Sequence, residues 1–172
     1  MYETILIPTD GRSDTQPAVS QGLSLARLCG ATVHVLYVID IAYVLEYTFG
    51  DRNDEFDTRM AELEDQGKRA TAKIAEEATP FDVDVIRVVR HGPPVETILE
   101  YAETNGIDLI VMGPHRRRRL DRLLVRSVTE AVGRATDIPV LSVRGSAEER
   151  INEPDRPPRV PDGSGDHIDP SR

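Results

Sequence analysis

The fold is decided by residues 108–143, which read DLIVMGPHRRRRLDRLLVRSVTEAVGRATDIPVLSV. The apolar runs at its two ends predict strands over residues 108–113 and 139–143. Between them lie a loop with four consecutive arginines, residues 116–119, and an amphipathic helix. A glycine such as Gly113, where a buried strand meets the loop before a helix, is typical of phosphate sites, because loop amides and the helix N-terminus face the anion. The stretch therefore predicts an anion site with a cationic loop.

The rest of the chain alternates strands and helices. Strands are predicted over residues 4–8, 32–39 and 83–89, and helices over residues 18–29, 56–78 and 95–102. Ser13 or Asp14 is expected to cap the first helix, with Pro17 in its first turn. Residues 40–54 are too apolar for a plain linker, and we expect a loop folded over the sheet edge or into a dimer contact. Five strands and four helices predict an α/β fold: a five-stranded doubly wound parallel sheet with helices on both faces.

The carboxyl ends of strands 1 and 4 are the predicted ligand crevice. Ligands of such sheets bind outside the carboxyl ends of the strands, where the winding direction reverses. If strand 1 is central with strand 4 beside it, Pro8, Thr9 and Asp10 face the same crevice as Gly113.

Composition and charge narrow the class of protein. The formal net charge is −9 and the sequence pI is near 4.9, which argues against a general nucleic-acid binder with a positive field. Cys29 is the only cysteine, so neither an internal disulfide nor a thiolate metal cluster is expected. The chain opens without a basic segment followed by an apolar one, and no apolar run approaches roughly 18 residues. We therefore expect a cytoplasmic protein.

Residues 146–172 differ from the single domain predicted over residues 1–145. They are rich in Pro, Gly, Asp and Arg. Such a segment buries too little apolar surface to offset the entropy of ordering it. The sequence predicts a disordered polar tail.

Deleting residues 152–172 should leave the melting temperature nearly unchanged, because few contacts cross into a disordered segment. Scanning calorimetry of the shortened and full chains measures this. A fall of more than about 5 °C, roughly 1 kcal/mol or more for a domain of this size, would mean that the segment packs.

A dense cationic patch lies within the deciding stretch and consists of Arg116, Arg117, Arg118, Arg119, Arg122 and Arg126. One interpretation is a solvated loop that pairs with local acids such as Asp121. Another is an anion site in which guanidinium forks replace loop amides. The third is a contact for RNA, DNA or an acidic partner, although the stacking aromatics usual in nucleic-acid sites do not interleave here.

Motifs of common enzymes are absent from the sequence. It contains no Walker loop, no G-x-G-x-x-G fingerprint and no G-x-S-x-G elbow. No His/Asp/Glu spacing indicates a metal site. Without a base–nucleophile pair, the sequence supports no catalytic residue.

Several segments together resemble the universal stress protein family. They are IPTDG at residues 7–11, VMGPH at residues 111–115, LLVRSVT at residues 123–129 and IPVLSV at residues 138–143. The resemblance covers about residues 2–144. It implies a homodimer, and the apolar edge strand at residues 139–143, which has no protecting lysine, predicts where the two copies pair.

Many members of that family bind ATP, through a glycine, two residues, a second glycine, nine residues, a third glycine and then Ser or Thr. Gly113 matches the first glycine and Ser127 the hydroxyl, whereas Arg116 and Arg126 stand at the other two glycines. Glycine at such positions lets the backbone approach phosphate, so arginine narrows that approach unless its guanidinium holds the phosphate instead. The resemblance also implies further site residues: Pro8, Asp10, Val38 and Met112 around adenine and ribose, and Val128 and Thr129 near the phosphates.

Asp10 has a second interpretation. A carboxylate accepts hydrogen bonds from a ribose hydroxyl or an adenine amine, but it can equally serve as a turn residue that caps a helix. The sequence leaves both open.

Residues and resemblance together predict a non-catalytic universal-stress-type regulatory protein. It would act in the stress response through dimerisation and an unknown protein partner, with degenerate or weak nucleotide binding. One alternative is an ATP-binding or slowly ATP-hydrolysing stress protein with its arginines on the phosphates. A second is an RNA- or anion-binding module. The cofactor therefore stays open between ATP and none, and no metal is predicted.

Overall fold

The computed structural model describes residues 1–47, 53–113 and 128–144. The strands are β1 (Thr4–Thr9), β2 (Thr32–Ile39), β3 (Val85–His91), β4 (Leu109–Met112) and β5 (Val140–Ser142). The helices are α1 (Gln16–Cys29), α2 (Ile41–Tyr47), α3 (Asn53–Ala78), α4 (Pro94–Thr104) and α5 (Val128–Ala135). Short 3-10 turns at Ser13–Thr15 and Thr79–Phe81 precede α1 and β3. The predicted tail lies outside the described residues.

All five strands form one parallel sheet in the order β3-β2-β1-β4-β5, which confirms the doubly wound sheet with strand 1 at its centre. β1 pairs with β2 from Thr4, opposite Thr32, to Thr9, opposite Tyr37. On its other side Ile5 lies opposite Leu109 of β4. The chain winds outward through β2 to β3 and then returns to the far side of β1, so the winding reverses between β1 and β4.

Helices cover both faces of the sheet, as predicted. α1 and α3 pack on the face that carries Ile5 and Ile7 of β1, and α4 and α5 pack on the face that carries Leu6. Neighbouring residues of β1 are buried on opposite faces because side chains alternate along a strand. The central strands are therefore apolar on both sides, which explains their continuous hydrophobic runs.

The prediction of a loop over residues 40–54 is wrong for its first half. Ile41–Tyr47 forms α2, a helix without glycine or proline. Its Val44 is buried with Tyr37 and Ile39, and Phe56 and Met60 of α3 pack against that cluster. Val44 thus lies on the side of α2 that packs on α3, whereas Leu45 is exposed. Residues 48–52 lie outside the described ranges.

α3 carries a charged outer face along its 26 residues. Ion pairs one turn apart link Lys68 to Glu64, Arg69 to Asp65 and Lys73 to Glu77. Exposed pairs of this kind contribute only a few tenths of a kcal/mol each, about 0.3–0.5. No helix within the described ranges is both long and apolar enough to cross a membrane.

A polar pair lies in the core between β2 and α4. The Nδ1 atom of His34 is 2.8 Å from the hydroxyl of Tyr101, and both residues are buried. Their rings meet edge to face with centroids 5.8 Å apart. Burial lowers the pKa of His34 and raises the pKa of Tyr101, so both groups are neutral near pH 7.

The His34 pair predicts a loss of stability in acid. In the unfolded chain His34 takes up a proton near its ordinary pKa of 6.5, whereas the folded protein takes it up only at lower pH. The contribution of neutral His34 to the free energy of unfolding is therefore complete above pH 6.5. It is lost as the pH falls toward the lowered pKa of the folded state. Urea unfolding from about pH 7.5 to about pH 5 should reveal this loss.

His34→Gln is the control for this prediction, because it keeps a polar side chain that does not titrate in this range. Its stability should depend less on pH than that of the wild type. Equal losses in the two proteins would assign the acid sensitivity to other groups.

Candidate functional site

The turn after β1 forms one wall of the crevice at the winding reversal. The main-chain N–H of Arg12 donates to Oδ1 of Asp10 at 3.1 Å, and Nε of Arg12 lies 3.7 Å from Oδ2. The N–H of Gly11 donates to Oγ1 of Thr9 at 3.1 Å. Gly11 has φ +76°, and a Cβ there would lie 3.1 Å from that of Ala70. Asp10 therefore has the hydrogen bonds of a turn residue, and its carboxylate is held beside the end of β1. It does not cap a helix, since neither the 3-10 turn nor α1 has a side-chain capping bond.

Gly113 forms the facing wall at the end of β4. A Cβ on Gly113 would lie 3.1 Å from Cα of Thr15 and 3.2 Å from the carbonyl oxygen of Asp14. Both neighbours are backbone atoms that cannot rotate away. The sequence predicted Gly113 as a phosphate-loop glycine, and the structure adds a second reason for it, close packing against the first turn before α1.

Gly113→Ala should lower the free energy of unfolding by about 1–2 kcal/mol, the usual cost of forcing a methyl group into a packed site. Gly133→Ala is the matched control, because among the described residues a Cβ at Gly133 of α5 would meet only Val140, at 4.0 Å. There alanine should be neutral or stabilising by up to about 1 kcal/mol. Urea denaturation of both variants measures the difference, and equal effects would contradict the packing argument.

Hydroxyl groups tie the walls of the crevice together. Oγ1 of buried Thr129, in the first turn of α5, donates to the carbonyl oxygen of Gly113 at 2.8 Å. Oγ1 of Thr15 donates to the carbonyl oxygen of Arg12 at 2.7 Å and lies 3.4 Å from Oγ1 of Thr9. The bond between Thr129 and Gly113 brings the end of β4 to the start of α5. Both ends of the segment between Gly113 and Val128 are therefore anchored at this crevice.

An apolar surface lies next to these polar groups, on the face covered by α4 and α5. Met112 belongs to the hydrophobic cluster of that face, and the partly buried Val38 and Val128 pack against it. Pro8 lies opposite Leu36 of β2 and is two residues after Leu6, so alternation places it on the same face. Three adjacent strands, β2, β1 and β4, thus each supply one predicted site residue at their carboxyl ends.

The charge of Asp10 acts on a buried tyrosine of β2. Burial raises the pKa of Tyr37, and the negative charge of Asp10 raises it further. The guanidinium groups of Arg12 and Arg59 oppose this effect. Tyr37 is therefore a neutral hydroxyl at physiological pH, within an electrostatic cluster that the sequence analysis did not identify.

The expected capping of α1 by Ser13 or Asp14 is wrong. The residue at the cap position is Thr15, without a side-chain capping bond, and Ser13 and Asp14 belong to the preceding 3-10 turn. Pro17 does lie in the first turn of α1, as predicted. Counting back from Pro17, since proline favours the first turn, would have identified Thr15.

Part of the predicted site cannot be compared with the structure. Arg116, Arg126 and Ser127 lie outside the described residues, and so do the other arginines of the cationic patch. Their roles stay predictions. Among the residues that are described, no group of three or more His, Cys, Asp or Glu side chains could hold a metal ion.

Comparisons with known proteins agree with this architecture. Residues 1–144 match the family model of the universal stress protein family. Universal stress protein MJ0531 of Methanocaldococcus jannaschii is 30% identical over 149 residues, which are 87% of this chain and 86% of that protein. Universal stress protein MJ0577 of the same organism is 29% identical over 155 residues, with 84% and 96% of the two chains covered.

Solved structures give the same result. The structure of MJ0577 superposes with a TM-score of 0.70 at 30% identity and covers 85% of this chain and 98% of that one. A universal stress protein in complex with cAMP superposes with a TM-score of 0.64 at 20% identity, covering 84% and 98%. At that identity the second likeness concerns the fold alone.

Proposed function

The chain belongs to the universal stress protein family, and on that premise we propose that it is a non-catalytic regulatory protein of the stress response. It works in the cytoplasm, as a homodimer that contacts a protein partner. Its nucleotide crevice keeps the side that would hold a nucleoside, but its phosphate loop is altered, so adenine nucleotides bind weakly.

The nucleoside side of the proposal rests on the crevice between β1 and β4. Pro8, Val38 and Met112 lie on one face of the sheet at the carboxyl ends of three adjacent strands, where they would form the apolar side of a base site. The carboxylate of Asp10 can accept from a hydroxyl or an amine. More distant universal stress proteins, at 19–20% identity, have been solved with cAMP and with dAMP. An adenine nucleoside is therefore the ligand class to test first.

The observation that carries the proposal lies on the phosphate side. Gly113 and Thr129 are joined by a hydrogen bond of 2.8 Å, so the segment between them starts and ends at the crevice. That segment has arginine at two of the three glycine positions of the family motif. Arginine side chains at those positions would crowd the backbone amides that ordinarily cradle phosphate.

The non-catalytic part of the proposal is supported by the hydroxyl groups of the described crevice. Thr129 and Thr15 donate to main-chain carbonyl oxygens, and Thr9 accepts from the N–H of Gly11. A hydroxyl that already holds the backbone is poorly placed to act as a nucleophile.

The run of four arginines favours a second candidate, an ATP-binding protein in which the guanidinium groups hold the phosphates. The same run could bind RNA, although the net charge of −9 opposes it. Retention on immobilised RNA that falls with salt would favour that last function.

The nucleotide content of protein purified without added nucleotide tests the proposal. Perchloric-acid extracts of the purified protein, separated by ion-exchange chromatography, should contain far less than one adenine nucleotide per chain. ATP in a one-to-one ratio would overturn the proposed weak site and favour the second candidate.

A further inference from the structure

The two edges of the sheet differ in charge. β5 forms one edge, and its three residues, Val140–Ser142, are uncharged. β3 forms the other edge and is seven residues long. β3 carries Arg87, Arg90 and His91, all exposed. An exposed sheet edge offers unpaired main-chain groups to an added strand, and its side chains decide which strand fits.

The arginines of β3 are available for a partner. Four other arginines, Arg12, Arg59, Arg69 and Arg134, form ion pairs with carboxylates. Within the described ranges Arg87 and Arg90 have no carboxylate within ion-pair distance, although the protein carries 30 acidic residues against 21 basic ones. Nε2 of His91 lies 3.3 Å from Oε1 of Glu64 in α3.

β3 also exposes apolar side chains beside its arginines. Ile86 is 46% exposed, and Val88 is only partly buried. They lie opposite His34 and Leu36, so they share the sheet face on which α4 packs, but α4 reaches β2 more than β3. β3 therefore presents an edge on which apolar side chains lie beside two exposed arginines.

The register assigns the two arginines to opposite faces. Arg87 lies opposite Val35, whose side chain belongs to the cluster on the face of α1 and α3. Arg90 lies opposite Val38, which packs on the face of α4 and α5. An added strand would meet both charges only with acidic residues on both of its faces, which requires an odd spacing between them.

We propose that the edge of β3 binds an extended acidic segment of a partner protein by strand addition, with two carboxylates three residues apart opposite Arg87 and Arg90. A second copy of this chain fits poorly, since it would bring four guanidinium groups to one short ladder, where like charges are destabilising. The inference rests on the partner contact of the proposed function and names the chemistry of that partner.

Fluorescence anisotropy with synthetic peptides tests the proposal. The probe is a seven-residue peptide of threonine and valine with two glutamates three positions apart, and the matched peptide has the same composition with the glutamates two positions apart. The first should bind at least about threefold more tightly, since one favourable cross-strand charge pair is lost in the second. N-methylation of alternate amides should abolish binding, because strand addition needs main-chain hydrogen bonds.

Charge reversal on the protein completes the test. Arg87→Glu with Arg90→Glu should weaken binding of the first peptide by about thirtyfold, because two attractive charge pairs become repulsive. The same variant should bind a peptide in which lysines replace the two glutamates. The control is Arg27→Glu with Arg134→Glu, exposed residues of α1 and α5 with the same change of net charge. It should bind like the wild type.

Other results would overturn the inference. Three results would each show that binding is only non-specific charge attraction. They are equal affinity for the two glutamate spacings, unchanged binding of the N-methylated peptide, and an equal loss of affinity in the control variant. An RNA oligonucleotide that binds more tightly than the peptide and is lost in the Arg87/Arg90 variant would make β3 a nucleic-acid surface. Nucleotide content and dimer mass do not involve β3, so failure here is separable from failure of the proposed function.

Discussion

Replacing Arg116 and Arg126 together by glycine should tighten the binding of ATP by about a hundredfold. If the arginines crowd the loop, glycine restores the approach of the backbone amides to the phosphates. Each charge-assisted hydrogen bond regained contributes about 1.5–3 kcal/mol. Two such bonds correspond to roughly a hundredfold or more, at about 1.4 kcal/mol for each factor of ten. Isothermal titration with ATP at fixed salt measures the change.

The control for that prediction is Arg117→Gly with Arg118→Gly, which removes the same charge from neighbouring positions that the family motif does not require as glycine. It should leave ATP affinity near that of the wild type or weaken it slightly. If the arginines hold the phosphates, the Arg116/Arg126 variant binds ATP less tightly than the wild type, and the salt dependence of binding falls. That result would rank the ATP-binding alternative above the present proposal.

Leu141→Lys should convert a dimer into a monomer at micromolar concentration. β5 lies at a sheet edge with no charged side chain, and Leu141 is its middle residue. Across a two-fold axis the variant would bring two lysines together, and like charges in an interface cost several kcal/mol, so the dissociation constant should rise at least about a hundredfold. Light scattering should give about twice the 19.1 kDa chain mass for the wild type and one chain mass for the variant.

Two further variants separate the effect of a charge at the β5 edge from the loss of core packing. Leu141 also packs against the core, so Ser142→Lys, at an exposed position of the same strand, tests the edge without disturbing the interior. Ile86→Lys introduces the same charge at the opposite edge and should leave the mass unchanged. A wild-type protein that is already a clean monomer at micromolar concentration would rule out the dimer.

The sheet could be predicted from sequence because its central strands are apolar on both faces. Runs such as Ile5 to Ile7 and Leu109 to Met112 are typical of strands in a parallel sheet covered by helices on both sides, and these residues are buried in the structure. Boundaries were less certain. β3 begins and ends two residues later than predicted, because a 3-10 turn followed by left-handed Asp82 (φ 54°) precedes it and its pairing with β2 continues to His91, opposite Ile39. α2 was missed, since seven residues are too few for a helical periodicity to stand out.

The site was predictable to the extent that it depends on strand register. Pro8, Val38 and Met112 were assigned through the family resemblance, and strand alternation places them on one face. Thr15 and Arg12 were not predicted as site residues, because their roles depend on a 3-10 turn that packs against Gly113, which is about a hundred residues away in the sequence. The electrostatic cluster around Tyr37 likewise brings together residues of β1, β2 and α3 that are distant in sequence.

The ratio of the affinities for ATP and adenosine, measured by isothermal titration on the wild-type protein at one salt concentration, tests the central claim most directly. A crevice that keeps its nucleoside side but has an altered phosphate loop predicts weak binding of both ligands, with dissociation constants within about threefold of each other, less than about 1 kcal/mol apart. Micromolar binding of ATP that is a hundredfold or more tighter than that of adenosine, about 2.7 kcal/mol from the phosphates, would contradict it.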